Sequence, residues 1–321
     1  MQEKIIFVFP GQGVQYVGMG ADIWSSFSSA RCVFEQVSDF AKRDMPRICF
    51  NGPQYDLNSP VNTSLATFAH SVAIARVIEG EFGLPLYKIG YAMSGHSMGQ
   101  YSALCCVGSM GVQDAVDLLS ARSSYMSLAH GNGGMAVIVG LDKLRVQQCL
   151  RGASGQGYAQ ISNHNALDQF VISGHNNALD LVVDTAKKMG ARIAKRLNVA
   201  VPAHCALMAG AEKMLRNRME NIQFEAPRTN WFSNQTAEFM SSPMDIRDAL
   251  CNQMINGVRW LEIMESFPKY NITRAYELGP GRTLTSLINR ANVGCRAQQT
   301  DRLVNLKKVL SEIENLMVNG R

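Results

Sequence analysis

Gly95-His96-Ser97-Met98-Gly99 lies between an apolar run, Lys88–Ser94, and a second stretch of small and apolar residues, Gln100–Val107. The first run suits a short buried strand and the second a buried helix. The pentapeptide between them reads as the sharp strand-to-helix turn of a G-x-S-x-G nucleophile elbow. Glycines at 95 and 99 permit the turn and let the helix approach the sheet where a Cβ would collide. Ser97 then stands at a helix N-terminus, whose unpaired N–H groups and dipole favour an oxyanion. A serine that merely caps a helix would give the same five residues, so other parts of the chain decide between the two readings.

Outward from the elbow, Lys4–Phe9 is an uninterrupted apolar run typical of a strand buried on both faces, and Pro10–Gln15 follows as a tight loop. Helical periodicity covers Ala21–Arg43, Ser64–Glu81 and Val112–Ala129. The alternation predicts an α/β architecture with a parallel sheet. The pattern changes at the hinge-like stretch Gly131-Asn132-Gly133-Gly134. Beyond it, strands at Met135–Val139, Tyr158–Asn163, Gln169–Ser173 and Arg192–Val199 interleave with helices at Asp142–Arg151 and Asn177–Met189. That order, β-α-β-β-α-β, is ferredoxin-like. The sequence therefore predicts a large α/β-hydrolase-like domain from residues 1–130 and 201–321, with a small ferredoxin-like subdomain, 131–200, inserted into it. In the resumed large domain, helices are expected at Cys205–Met219, Met244–Met254, Trp260–Phe267, Leu284–Arg290 and Leu303–Val318, with strands at Asn230–Ser233 and Ala275–Leu278.

The 321 residues are 46% hydrophobic and 18% charged, enough for a large core and too few charges for a disordered chain. The net charge of +5 comes without a dense Lys/Arg run interleaved with aromatics, which argues against nucleic-acid binding. A mild positive excess suits an acidic partner protein or an anionic substrate instead. The N-terminal apolar run is too short for an export signal, and no stretch reaches membrane-spanning length. Eight cysteines show no C-x-x-C pair and no zinc spacing. They read as reduced core thiols of a cytoplasmic protein, with no metal site.

A serine nucleophile needs a base to take its proton. Of the six histidines, His96 adjoins Ser97, but its side chain diverges from the serine's in an elbow. His204 follows Val199–Ala203 at a strand-to-helix junction, the kind of place where open α/β sheets build their sites. A structural or surface histidine is the other reading of that position.

With these motifs in order, the chain resembles the malonyl-CoA:acyl-carrier-protein transacylase family, including the stand-alone acyltransferases of fatty-acid and polyketide synthesis. The resemblance runs nearly end to end. It is carried by Phe9–Gly13 with Gly18–Gly20, the elbow 95–99, Ala121–Met126, Ile161–Asn163, Val171–His175, Val201–Met208, Gln253 ahead of Gly257–Trp260, and Glu277–Gly281. It implies that Ser97 attacks the malonyl thioester and that His204 takes its proton and later activates the carrier's phosphopantetheine thiol. It also implies that the backbone carbonyl of Gln253 orients His204, and that the N–H groups of Gln12 and Met98 form the oxyanion hole. By the same resemblance, Arg122 holds the malonyl carboxylate in a bidentate contact and Asn163 lines the small-subdomain side of the cleft. Read without it, Arg122 is an ordinary helix-surface arginine and Asn163 a strand-end turn residue. The implied partners are malonyl-CoA and an acidic acyl carrier protein, with a monomer as the assembly. No cofactor is implied beyond the coenzyme A of the substrate.

Three positions depart from the family pattern. Gln100 stands where glutamate is usual, Ser64-Leu65 where many members carry Gln-Pro, and Ala203 where others have serine or phenylalanine. Two other functions compete with malonyl transfer. An acyl hydrolase of the same fold would leave the Arg122 cation unpaired against an alkyl chain. A non-catalytic carrier-docking protein would need none of Ser97, His204 and Arg122.

Overall fold

The computed structural model describes residues 3–128, 132–199 and 201–319. Its strands are β1 Lys4–Phe9, β2 Ala92–Gly95, β3 Gly133–Val139, β4 Ala159–Ala166, β5 Gln169–His175, β6 Ile193–Arg196, β7 Asn230–Phe232, β8 Phe239–Met240, β9 Ile272–Glu277 and β10 Arg296–Gln299. The larger sheet has the order β10-β9-β1-β2-β7-β8. All its pairings are parallel except that of β8 with β7.

The apolar run of β1 sits at the sheet's centre, in register with β2 from Ile6↔Ala92 to Phe9↔Gly95. Successive side chains of a strand point to opposite faces, so this one segment feeds two cores. Phe7 and Phe9 pack with Leu65, Phe68, Met93 and Leu104 on one side, whereas Ile6 and Val8 pack with Trp260, Ile263 and Leu287 on the other. The first core is built around the helix Pro60–Phe82, which buries all of Asn62–Ile78 except Arg76. Pro60 suits the first helical turn because its missing N–H would be unpaired there in any case, and Gly83 ends the helix at φ 61°.

The smaller sheet is wholly antiparallel, in the order β4-β5-β3-β6. Helices Lys143–Gly152 and Asn176–Lys188 cover it, and Ala136, Ile138, Phe170, Ile172, Leu179 and Val182 fill a separate core. The β-α-β-β-α-β order expected from the sequence is thus present over residues 133–196. The two sheets are tied through Val258, which exchanges backbone hydrogen bonds with Ser162 and His164 around Asn163.

Several sequence expectations are corrected. Lys88–Ser94 is not one strand. Pro85 opens a helical turn over Leu86–Ile89, and only Ala92–Gly95 pairs with its neighbours. Gly90 lies so close to Phe7 that a Cβ would sit 2.7 Å from the ring. The helix expected over Ala21–Arg43 is two, Ala21–Ser26 and Ser28–Ala41. Extended Phe27 separates them, and the hydroxyls of Ser25 and Ser26 bond back to the carbonyls of Ala21 and Asp22. The helix expected from Cys205 begins as a 3-10 turn, Ala206–Met208, and becomes α-helical only at Ala209. The strand predicted over Arg192–Val199 shortens to Ile193–Arg196, the part that pairs with β3. Strand β10 was not expected at all. Gly131 of the hinge-like stretch lies outside the described residues, and Gly133 and Gly134 belong to β3. No helix among the described residues is long and apolar enough to cross a membrane.

Candidate active site

The elbow forms because two glycines leave room for it. A Cβ on Gly95 would lie 1.9 Å from the carbonyl carbon of Gly99, and one on Gly99 would lie 2.2 Å from the Phe9 carbonyl oxygen. The turn is closed by backbone bonds from the His96 N–H to Phe9, the Gly99 N–H to His96 and the Gln100 N–H to Ser97. Between the glycines Ser97 takes φ 53°, a left-handed conformation that lifts its hydroxyl clear of both sheet and helix.

His204 meets it there. Ser97 Oγ and His204 Nε2 are 2.7 Å apart, and His204 Nδ1 is 2.7 Å from the Gln253 carbonyl. That carbonyl can only accept, so Nδ1 carries the proton and Nε2 faces the serine as a base. His204 itself has φ 60°, and its carbonyl accepts a 2.8 Å bond from Gln160 Nε2 on β4. Its pKa is pushed down to about 3, first by burial and then by the nearby Arg122 cation, with the Gln253 bond working in the opposite direction.

Arg122, on the helix Val112–Leu128, is 2% exposed. It forms no ion pair among the described residues; Nη2 reaches Ser97 Oγ at 3.3 Å and Nε has no partner. Burial lowers its pKa, yet an arginine keeps its charge. An unpaired buried guanidinium is costly unless an anion comes to meet it.

The backbone N–H groups of Gln12 and Met98 have no acceptor among the described residues and remain available to an oxyanion. The Gln12 side chain is anchored on Ser64 Oγ at 2.8 Å, which in turn lies 2.8 Å from Ser123 Oγ. A cleft of about 700 Å³ opens beside these residues, lined among others by Gln12, Thr63, Ser123, Met126 and Ala203. Ser64 therefore serves as a support for Gln12, and Ala203 presents only a methyl group to the cleft.

Ser97, His204, Arg122, Gln253, Gln12 and Met98 are thus brought together. Asn163 is not. It sits in β4, bridged to Val258, and its Oδ1 accepts from the Ser162 hydroxyl. His96 does diverge from Ser97; its Nε2 pairs with Asn165 Oδ1 at 2.9 Å, and its ring stands edge-on to Trp260. Sequence reasoning missed Asn234 and Gln160, and it flagged Gln100 only as a departure. Gln100 is buried, with Nε2 on the Phe232 carbonyl and Oε1 accepting from Gln253 Nε2. The available signal for Asn234 was its position just past a parallel strand's C-terminal end, where such sheets place functional groups.

Residues 6–272 match the family model described as the acyl transferase domain. The malonyl CoA-acyl carrier protein transacylase of Escherichia coli K12 is 37% identical over 290 residues, covering 89% of this chain and 92% of that protein. The solved structure of the corresponding transacylase from Coxiella burnetii superposes with a TM-score of 0.93 at 32% identity, over 98% of both chains. A malonyl-transacylase solved in complex with its type II PKS acyl-carrier protein superposes at 0.92, with 35% identity over 97% of this chain and all of that one. The chain belongs to the acyl transferase family, among its malonyl CoA-acyl carrier protein transacylases.

Proposed function

We propose that the protein is an [acyl-carrier-protein] S-malonyltransferase, moving malonyl from malonyl-CoA to a carrier's phosphopantetheine thiol through an acyl-enzyme at Ser97. The observation that carries this reading is the buried, unpaired Arg122 guanidinium 3.3 Å from the nucleophile. It is a built receptor for an acyl group that ends in a carboxylate.

The steps follow from the geometry. His204 Nε2 takes the Ser97 proton as Oγ bonds to the thioester carbonyl carbon. The carbonyl oxygen becomes an oxyanion held by the N–H groups of Met98 and Gln12. Collapse breaks the C–S bond, and the His204 proton leaves on the coenzyme A thiolate. The carrier's thiol then gives its proton to His204 and attacks the Ser97 ester by the same route in reverse, restoring the hydroxyl. Gln253 keeps the imidazole in one tautomer throughout. Arg122 disfavours the hydrolase alternative, since an alkyl chain would leave it unpaired.

The site is complete within one chain, which supports a monomer. All eight cysteines are unpaired and seven are buried, in keeping with a cytoplasmic location. The net charge of +5 suits an acidic carrier partner.

Intact-protein mass spectrometry after separate mixing with malonyl-CoA, acetyl-CoA and a longer acyl-CoA tests the reading. A malonyl adduct that is absent in Ser97→Ala and passes to holo carrier protein is expected. An adduct from uncharged acyl groups that water removes would instead establish a hydrolase. No adduct from any donor would leave only a docking role.

A further inference from the structure

Asn234 stands two residues beyond the end of β7, fully buried against the elbow. Its Oδ1 accepts the Ser97 N–H at 2.8 Å and Gln253 Nε2 at 3.0 Å, while Nδ2 donates to the Gly95 carbonyl at 2.8 Å. Its own backbone is fixed as well, the carbonyl accepting the Arg259 N–H at 3.1 Å. The parallel register of β2 with β7 ends at Ser94↔Phe232, so the elbow has left the ladder when it reaches Ser97.

We propose that Asn234 is a positioning residue for acyl transfer. Its side-chain amide acts as one more peptide group of the β2–β7 ladder, and so holds Ser97 in the left-handed conformation that aims Oγ at His204. This rests on Ser97 being the nucleophile. The bond to Asn234 is the only hydrogen bond the Ser97 N–H makes among the described residues. A non-glycine residue persists at positive φ only where its surroundings over-determine it. Without the amide, the Ser97 N–H and the Gly95 carbonyl would both be orphaned, and the 96–97 peptide would be held only by the Gly99 N–H on the His96 carbonyl. Because Asn234 occupies the Ser97 N–H, the donors left for an oxyanion are those of Met98 and Gln12. Gln253 joins the two halves of the site: its carbonyl orients His204, and its side-chain Nε2 lies within reach of both Asn234 Oδ1 and the Ser97 carbonyl.

Three variants test this on the full chain. Asn234→Asp keeps the acceptor for the Ser97 N–H and loses the donor to Gly95. Asn234→Leu has a similar size and loses both, and Asn234→Ala removes both while leaving room for water. The readouts are the rate of Ser97 acylation by malonyl-CoA, the rate of labelling by an uncharged fluorophosphonate, the KM for malonyl-CoA and the urea midpoint. Asn234→Leu should slow acylation and labelling about 10²-fold, the size of effect expected for a misplaced reacting atom. KM should stay within about 3-fold, because Asn234 touches no substrate group. Asn234→Asp should react faster than Leu or Ala, and its rate should not track its urea midpoint. Labelling of the Leu variant at near-native rate would overturn the proposal. If Leu does not fold, Ala and Asp decide, and equal rates for those two would overturn it. Malonyl labelling that survives Ser97→Ala in the native chain would overturn Ser97 as nucleophile, a failure separate from that of Asn234.

Discussion

Ser97 and His204, 107 residues apart in sequence, meet at 2.7 Å between Oγ and Nε2, and both hold a positive φ. Left-handed backbone costs an L-residue roughly 1–2 kcal/mol. At each position the amide of another residue holds the backbone: Asn234 takes the Ser97 N–H and Gln160 the His204 carbonyl. Strain of this kind aims two side chains at each other and is retained because the surroundings permit no relaxation.

Glycine carries no such strain, so a comparison at position 97 measures it. Ser97→Ala and Ser97→Gly should both abolish the malonyl adduct. The glycine variant should nevertheless be the more stable by about 1 kcal/mol, allowing for its greater unfolded-state entropy. Urea unfolding of the two variants checks this; an alanine variant equal to or above glycine would mean that the elbow is unstrained.

Arg122 provides the second prediction. Arg122→Met keeps much of the stem's packing and removes the cation. Loss of a desolvated charge-assisted pair typically costs on the order of 2–5 kcal/mol, so malonyl transfer should fall by at least about 30-fold. Acetyl transfer should be spared or improved. The same substitution removes an uncompensated buried charge and should raise urea stability by on the order of 1–2 kcal/mol. Equal losses for both acyl groups would contradict the carboxylate clamp.

The pH dependence has a definite sign. His204 must be neutral to act as base, and burial, with Arg122, holds its pKa at about 3, so acylation by acetyl-CoA should be nearly flat down to pH 5. Removing the cation in Arg122→Met makes protonation easier and raises that pKa toward 6.5. Burial, the larger cause, stays, so the acid limb should begin at a higher pH in Arg122→Met than in the native chain while remaining below 6.5; acetyl transfer followed from pH 7 down to pH 4 in both checks this.

Folding stability is linked to the same groups. His70 is fully buried with no hydrogen-bond partner for either ring nitrogen among the described residues, and burial lowers its pKa to about 4. Its folded pKa lies below its ordinary 6.5, so its contribution is whole above pH 6.5 and is lost as pH falls toward 4. The loss is on the order of 3 kcal/mol by pH 4. Urea midpoints at pH 7, 5 and 4 should fall steeply for the native chain and less steeply for His70→Leu.

How much of this was legible in sequence depends on how local the cause is. The elbow was legible because its glycines are demanded by atoms a few residues away or on the adjoining strand. The small antiparallel sheet was legible because strand and helix periodicities alternate cleanly from Gly133 to Arg196. Strand β10 reads Arg296-Ala-Gln-Gln299 and was invisible, since an edge strand with only Ala297 fully buried has no apolar pattern. Lys88–Ser94 reads as one strand because apolar composition does not separate strand residues from the end of a helical turn such as Leu86–Ile89. Arg122 was legible through the family resemblance, which implies the carboxylate clamp; its own helix position reads as surface, and the fold adds that it is a buried cation with no ion-pair partner among the described residues. Asn234 was hidden because two of its three side-chain partners, the Ser97 N–H and the Gly95 carbonyl, lie 137 and 139 residues away and are backbone groups.

The antiparallel sheet also reaches the site, through Gln160. This β4 residue donates to the His204 carbonyl at 2.8 Å, and the Tyr158 hydroxyl bonds its Oε1. The contact holds His204 in its left-handed conformation through its carbonyl, whereas Gln253 holds it through the ring, so its loss should loosen the imidazole without touching substrate. Gln160→Leu should lower the rate of acylation by about 10-fold, with a change in KM of less than about 3-fold. Tyr158→Phe removes the hydroxyl that bonds Gln160 Oε1 but leaves Gln160 on the His204 and Ile255 carbonyls, and should cost less, about 2-fold to 3-fold. Stopped-flow acylation by malonyl-CoA in the two variants gives the order of effects. A Tyr158→Phe loss exceeding that of Gln160→Leu would mean that the sheet acts on His204 by another route. The expected order would make β4 a brace for the base, coupling any shift of the antiparallel sheet to the proton-transfer distance at Ser97.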